Sequence, residues 1–202
     1  MRPLRAGMRI YICGALAAVV IALSSAAPAW AAQGDSRATI LLGTANYSIG
    51  SGNTTGTTFG FRWGYEIEDQ LTWSLGATFT STAGQISKAG QTYDISANAN
   101  TVSTGLTYGF DLGPGSTVLP FVGGGLSYVS YDIDFEYPDS DVGRVTGGSP
   151  GIFGLAGVEV RVSRSFDIMV QYVLSASSIE AQDGSTVALL SGGILLSFRL
   201  SV

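Results

Sequence analysis

Phe59-Gly60-Phe61-Arg62-Trp63-Gly64-Tyr65-Glu66-Ile67 alternates without a break between large apolar residues at odd positions and glycine or charge at even ones. Successive side chains of a β-strand point to opposite faces, so this stretch is a strand with one wholly apolar surface and one small, partly charged surface. A soluble sheet would bury the aromatics. A transmembrane barrel turns them to lipid and keeps glycine and ion pairs inside. The alternation alone leaves both environments open.

Composition decides between them. Lys88 is the sole lysine and charged residues make up 12% of the chain, about half the ~25% of an average soluble domain. Beyond residue 31 no stretch approaches the ~20 apolar residues of a spanning helix. Lipid accommodates only helices or closed barrels, because every backbone polar group must be paired there. Few charges, abundant glycine and no long apolar run therefore predict spanning strands. A lipocalin-like soluble binder would need the charged exterior that this composition lacks.

Residues 1–31 read as a cleaved signal peptide: Arg2, Arg5 and Arg9, an uncharged apolar run from Ile10 to Leu23, and the small-x-small site Ala29-Trp30-Ala31. The leader takes three of the ten basic residues and none of the fifteen acids, so residues 32–202 are clearly acidic. They contain no cysteine, so burial or lipid rather than disulfides must stabilise this single domain.

The same reading along the chain gives eight strands. Leu71 to Phe79, Val102 to Phe110, Ile152 to Val162, Phe166 to Leu174 and Ile194 to Val202 each carry apolar residues at alternate positions. Thr39 to Tyr47 supports a first strand whose two faces are not distinct, and residues 117–133 a fifth strand. Polar composition predicts longer loops at 50–56, 83–93, 134–151 and 180–185. Short turns are expected at Glu68-Asp69, around Gly113-Pro114-Gly115 and at Ser163-Arg164-Ser165. Alternation of long loops with short turns is the layout of an eight-stranded antiparallel up-and-down outer-membrane barrel, with the longer loops outside.

The eight-strand layout, Pro120-Phe121-Val122-Gly123-Gly124-Gly125 and the final Ser197-Phe198-Arg199-Leu200-Ser201-Val202 resemble the small outer-membrane barrels of the outer membrane protein A and opacity-protein type. The resemblance implies insertion by the outer-membrane assembly machinery and surroundings of outer-membrane lipid and lipopolysaccharide. It implies a non-enzymatic role in envelope integrity or adhesion, with a host or surface ligand met by the external loops. The alternative is a narrow channel for ions or small hydrophobic solutes.

The chain contains no histidine. Barrel deacylases, palmitoyl transferases, phospholipases and surface proteases of the outer membrane all depend on one, so no catalytic residue is expected. Without histidine, and without cysteine beyond the leader, neither a transition-metal site nor a cofactor is expected. Gly123-Gly124-Gly125 lacks the strand-loop-helix context of a nucleotide cradle, and the acidic balance argues against nucleic acid.

Two clusters remain. Arg62, Glu66, Glu159, Arg161, Asp167 and Arg199 fall on the faces opposite the apolar ones, most of them near the turns. An eight-stranded barrel is just filled by its side chains, and buried charges must be paired, so these six are expected to form an ion-pair network plugging the lower lumen. Space-filling and register are its plainer roles, gating the sharper one. Asp132, Asp134, Glu136, Asp139 and Asp141 gather at the end of the fifth strand and on the longest predicted loop. Oxygen-rich clusters suit Ca²⁺ or Mg²⁺, but the spacing matches no calcium loop, and a solvated acidic loop is the simpler reading.

Overall fold

The computed structural model describes residues 36–49, 52–88, 91–113, 115–136, 142–180 and 186–201. They form eight strands: β1 Ser36–Ile49, β2 Gly52–Glu68, β3 Leu71–Lys88, β4 Gln91–Gly109, β5 Val118–Glu136, β6 Val142–Arg161, β7 Phe166–Glu180 and β8 Thr186–Ser201. Each pairs antiparallel with its neighbour in sequence, and β1 closes onto β8 through pairs such as Ile40–Phe198 and Leu42–Leu196. The result is a closed eight-stranded antiparallel barrel. Closure leaves no sheet edge unpaired, which is the condition for strands to stand in lipid.

The outer surface of the turn-side half is an apolar belt. Phe59, Leu75, Leu106, Val122, Ile152, Val170 and Ile194 are exposed upon it, while their strand neighbours Gly60, Ser74, Gly76, Gln171, Gly193 and Leu195 are buried inside. From Phe59 to Ile67 the strand climbs roughly 20–25 Å at the usual rise and tilt, the height of a bilayer's apolar band. Ring pairs gather at its turn-side margin: Trp63 packs on Tyr65 and edge-on to Trp73, Tyr108 meets Phe110, and Phe166 stacks on Phe198. Amphipathic rings collect at such an interface.

Strand lengths correct the predicted loops. The strands run from 14 to 20 residues, well beyond the ~9–11 that cross a bilayer. The predicted loop at 50–56 is mostly strand, since β2 begins at Gly52; β3 and β4 take most of 83–93, and β5 and β6 most of 134–151. Ladder hydrogen bonds use the backbone and are indifferent to side-chain polarity, so Ser, Thr and Asn carry the pairing outward past the belt. The asymmetry between the ends thus lies in this paired overhang rather than in loops. The turn between β4 and β5 spans more residues than the outer hairpins: β1 ends at Ile49 before β2 at Gly52, and β3 at Lys88 before β4 at Gln91. Gly113 and Gly115 both take positive φ in that turn, which glycine alone adopts without strain. The Gly113 N–H donates to Asp111 Oδ1 at 2.9 Å.

In the overhang the facing pattern inverts. Along β5, Val122, Leu126 and Tyr128 point out, but Val129, Tyr131 and Ile133 point in, with Ser130 exposed outside. Along β4, Ile95 and Ala99 are buried between the exposed Asp94, Ser96, Asn98 and Asn100. Together with Leu189 these inward residues form one apolar cluster across the outer lumen. A second, of Phe121, Leu155 and Met169, lies nearer the turns.

Candidate functional site

In the turn-side lumen, Arg199 of β8 stands beside two acids of neighbouring strands. Its Nη2 donates to Glu159 Oε2 of β6, and its Nε lies 3.9 Å from Asp167 Oδ2 of β7. All three are buried. The register makes Asp167 the direct strand partner of both Arg161 and Arg199. Arg199 Nη2 also lies 2.8 Å from Met169 Sδ. Arg161 approaches Glu159 at 3.9 Å from the rim, with its side chain half exposed.

Glu66 pairs with a residue that sequence reasoning missed. Arg37 Nη2 donates to Glu66 Oε2 at 2.5 Å. Arg37 lies opposite Gly64, so Glu66 is its diagonal neighbour on the same inner face, within reach of a long side chain. Arg37 shares the parity of Thr39 and Leu41, both buried in the lumen, which places it inside as well; the sequence of β1 alone does not show which parity faces inward.

Arg62 points into the lumen but joins no ion pair among the described residues, which corrects its place in the expected network. Its partner is neutral: Arg62 Nη1 donates to Gln171 Oε1 at 3.3 Å, and Gln171 Nε2 donates to Ser197 Oγ at 3.4 Å. The physical reason is reach. Arg62 and Glu66 are four residues apart on one strand, about 13 Å at strand rise, and Arg37 and Arg199 engage the lumenal carboxylates.

The acidic cluster also changes character. Asp132 and Asp134 lie on the outward face of β5, which extends past the predicted loop start to take in Asp134, and both approach Arg144 of β6. The Arg144 Nε donates to Asp132 Oδ1 at 2.8 Å. The side chain of Glu136, and Asp139 and Asp141 altogether, lie outside the described residues. Among the described residues no three Asp, Glu, His or Cys side chains are grouped to hold a metal ion.

Three cavities follow one another along the lumen. One of about 300 Å³ lies at the turn side among Arg37, Glu66, Glu159 and Arg199. One of about 80 Å³ occupies the middle, bounded by Thr58, Thr80, Ser127 and Ser175. One of about 10 Å³ sits against Tyr131, Ile133 and Leu189. Among the described residues these three cavities shrink outward as their lining turns from charged to hydroxylic to apolar.

A closed antiparallel barrel, belted with apolar and aromatic residues and filled with polar side chains, is a transmembrane barrel of the outer-membrane kind. The chain belongs to the outer membrane protein beta-barrel domain family, which matches residues 15–193, and its place is the outer membrane. Similar solved structures include Neisserial surface protein A, at TM-score 0.58 and 19% identity over 82% of this chain and 96% of that one. Ail, the attachment invasion locus protein of Yersinia pestis, aligns at TM-score 0.51 and 14% identity over 84% of this chain and 99% of that one. The outer membrane enzyme PagL aligns at TM-score 0.50 and 12% identity over 81% of this chain and 97% of that one. At such identities the likeness shows the fold alone, and that fold hosts a surface protein, an attachment protein and an enzyme. Among curated proteins none matches the sequence significantly.

Proposed function

We propose that this chain is a non-enzymatic, non-conducting outer-membrane barrel whose rigid overhang serves envelope integrity or contact at the cell surface. The observation that carries this reading is the filled lumen. An apolar cluster of Ile95, Ala99, Val129, Tyr131, Ile133 and Leu189 crosses its outer part, while the Arg199, Glu159 and Asp167 group braces one wall of its turn side. An ion on its way through would have to shed water against that apolar cluster, at the cost that makes such constrictions dewetted barriers.

The absence of histidine from the whole chain supports the non-enzymatic part. The overhang supports the surface part. Paired strands hold Asp94, Asn98, Asn100, Ser130 and Asp132 in fixed positions on a polar outer wall, so a partner meets a preorganised sheet rather than loops that must be ordered on binding. Outer-membrane lipid, lipopolysaccharide, the assembly machinery and a surface ligand are the partners this role implies.

Single-channel recording on the refolded barrel tests the reading against a narrow channel. Wild type is expected to give no reproducible conductance steps, and Tyr131→Ala combined with Leu189→Ala to give them. Steady ohmic steps from wild type would favour the channel.

A further inference from the structure

Four guanidiniums project from the inner faces of the turn-side half, those of Arg37, Arg62, Arg161 and Arg199; three inward carboxylates pair with all but Arg62, and the exposed turn residues Asp69 and Asp111 line the same cavity. Glu66 is held by Arg37 at 2.5 Å. Glu159 and Asp167 are held by Arg199, with Arg161 leaning on Glu159 from the rim. Arg62 is left with one hydrogen bond, to the neutral Gln171. A guanidinium has five N–H donors. A charge removed from water without a counter-charge is costly enough that some neutralising arrangement is expected.

Arg62 lines both the turn-side cavity and the mid-lumen cavity. The middle one, about 80 Å³, has no carboxylate on its wall. Its polar lining is hydroxyl groups, several of them already committed: Thr58 to Thr80 at 2.9 Å and Ser175 to Ser191 at 2.6 Å. Ser127 differs. Its side chain lines the cavity and is 8% exposed, and its Oγ is buried without any hydrogen-bond partner.

We infer that the mid-lumen cavity is a binding site for a small monovalent anion of the halide class, with Arg62 as its counter-charge and the Ser127 hydroxyl as a further donor. The volume exceeds the roughly 10–15 Å³ that a single water needs, so an anion with accompanying water fits. Water alone would satisfy hydrogen bonds but leave the Arg62 charge uncompensated. The outer apolar cluster closes the far side, so the anion enters from the turn-side cavity, which Arg62 also lines. The site is independent of the surface role proposed above.

Two measurements on the refolded full-length barrel test this. Crystals soaked in bromide should show anomalous density within hydrogen-bonding distance of Arg62 in the middle of the lumen. Thermal unfolding in chloride should show a saturable upward shift of the midpoint relative to gluconate at equal ionic strength. Arg62→Met should abolish that shift, Arg62→Lys should retain part of it, and Ser127→Ala should raise the chloride concentration giving half of it. No bromide in the mid-lumen, or an equal chloride shift in wild type and Arg62→Met, would overturn the assignment. The crystallographic measurement uses wild type and does not depend on any variant folding.

Discussion

Arg199→Met tests whether the turn-side lumen is held by charge or by packing. Methionine keeps much of the volume and removes the guanidinium that engages both Glu159 and Asp167. Arg199, Glu159 and Asp167 are 9%, 5% and 7% exposed, so water cannot readily solvate the two acids that remain. Removing one partner of a buried ion pair typically costs 3–5 kcal/mol, because the other is left uncompensated. Arg161 moderates this only from the rim, 3.9 Å from Glu159. A loss of about 3–5 kcal/mol is therefore expected.

Urea unfolding of the barrel in lipid vesicles reads that loss. Trp63 and Trp73, packed edge to face on the lipid side, report insertion by fluorescence. Replacing the whole group by apolar residues should restore stability, since a buried ionic cluster contributes little beyond a well-packed apolar substitute. The triple variant Arg199→Met, Glu159→Leu, Asp167→Leu is expected to return to within about 1 kcal/mol of wild type. A single variant losing under ~1 kcal/mol would refute the uncompensated-charge argument. A triple variant as unstable as the single one would place the loss in packing instead.

Two further expectations concern the wall itself. Val122 sits near the middle of the apolar belt and Ser130 above it; Val122→Arg should cost about 2–4 kcal/mol in the same urea assay and Ser130→Arg about 0–1 kcal/mol, since the penalty for a cation falls with distance from the bilayer midplane. A methyl at Gly43 would lie 2.0 Å from the carbonyl oxygen of Ile194, whereas one at Gly154 meets nothing nearer than 3.9 Å; Gly43→Ala should therefore lose about 1–3 kcal/mol or fail to refold, and Gly154→Ala should stay within about 0.5 kcal/mol of wild type.

The fold was legible wherever lipid imposes its own chemistry. From Phe59 to Ile67 the outward residues must be apolar and the inward ones small or polar, so face and register follow from parity alone. β1 gave no such reading because Leu41, an inward residue, is flanked by the outward Ile40 and Leu42, and an unbroken apolar run hides the period. Arg37 was lost with it. The outer halves of the strands were illegible as strands for a related reason: where water replaces lipid, the outward face no longer has to be apolar, and Asn98, Asn100 and Ser130 are exposed residues that continue a ladder. Pairing within the lumen could be read only partly. Parity put Arg62 and Glu66 on one face, but Glu66 meets Arg37 one diagonal step away on β1 while Arg62 reaches Gln171 of the non-adjacent β7, and both depend on a register and closure the sequence does not state.

The inversion of facing explains why the lumen is ionic at one end and apolar at the other. Within the belt, lipid stabilises the outer wall, and the inner wall is free to carry the charges of Arg37, Glu66, Glu159 and Arg199. Above the belt both wall and surroundings change: Asp94, Asp132 and Asp134 face water, and nothing outside the barrel rewards apolar surface. That part must hold together as a soluble barrel does, by burying Ile95, Val129, Tyr131, Ile133 and Leu189 against one another. On β5 the outward face turns from Tyr128 to Ser130 and the inward face from Ser127 to Val129, so one two-residue repeat of the strand marks where lipid gives way to water. The apolar cluster that blocks the lumen is therefore a consequence of carrying rigid strands beyond the membrane: a barrel that projects a firm outer wall needs a dry core at that level, and a dry core leaves no path for ions.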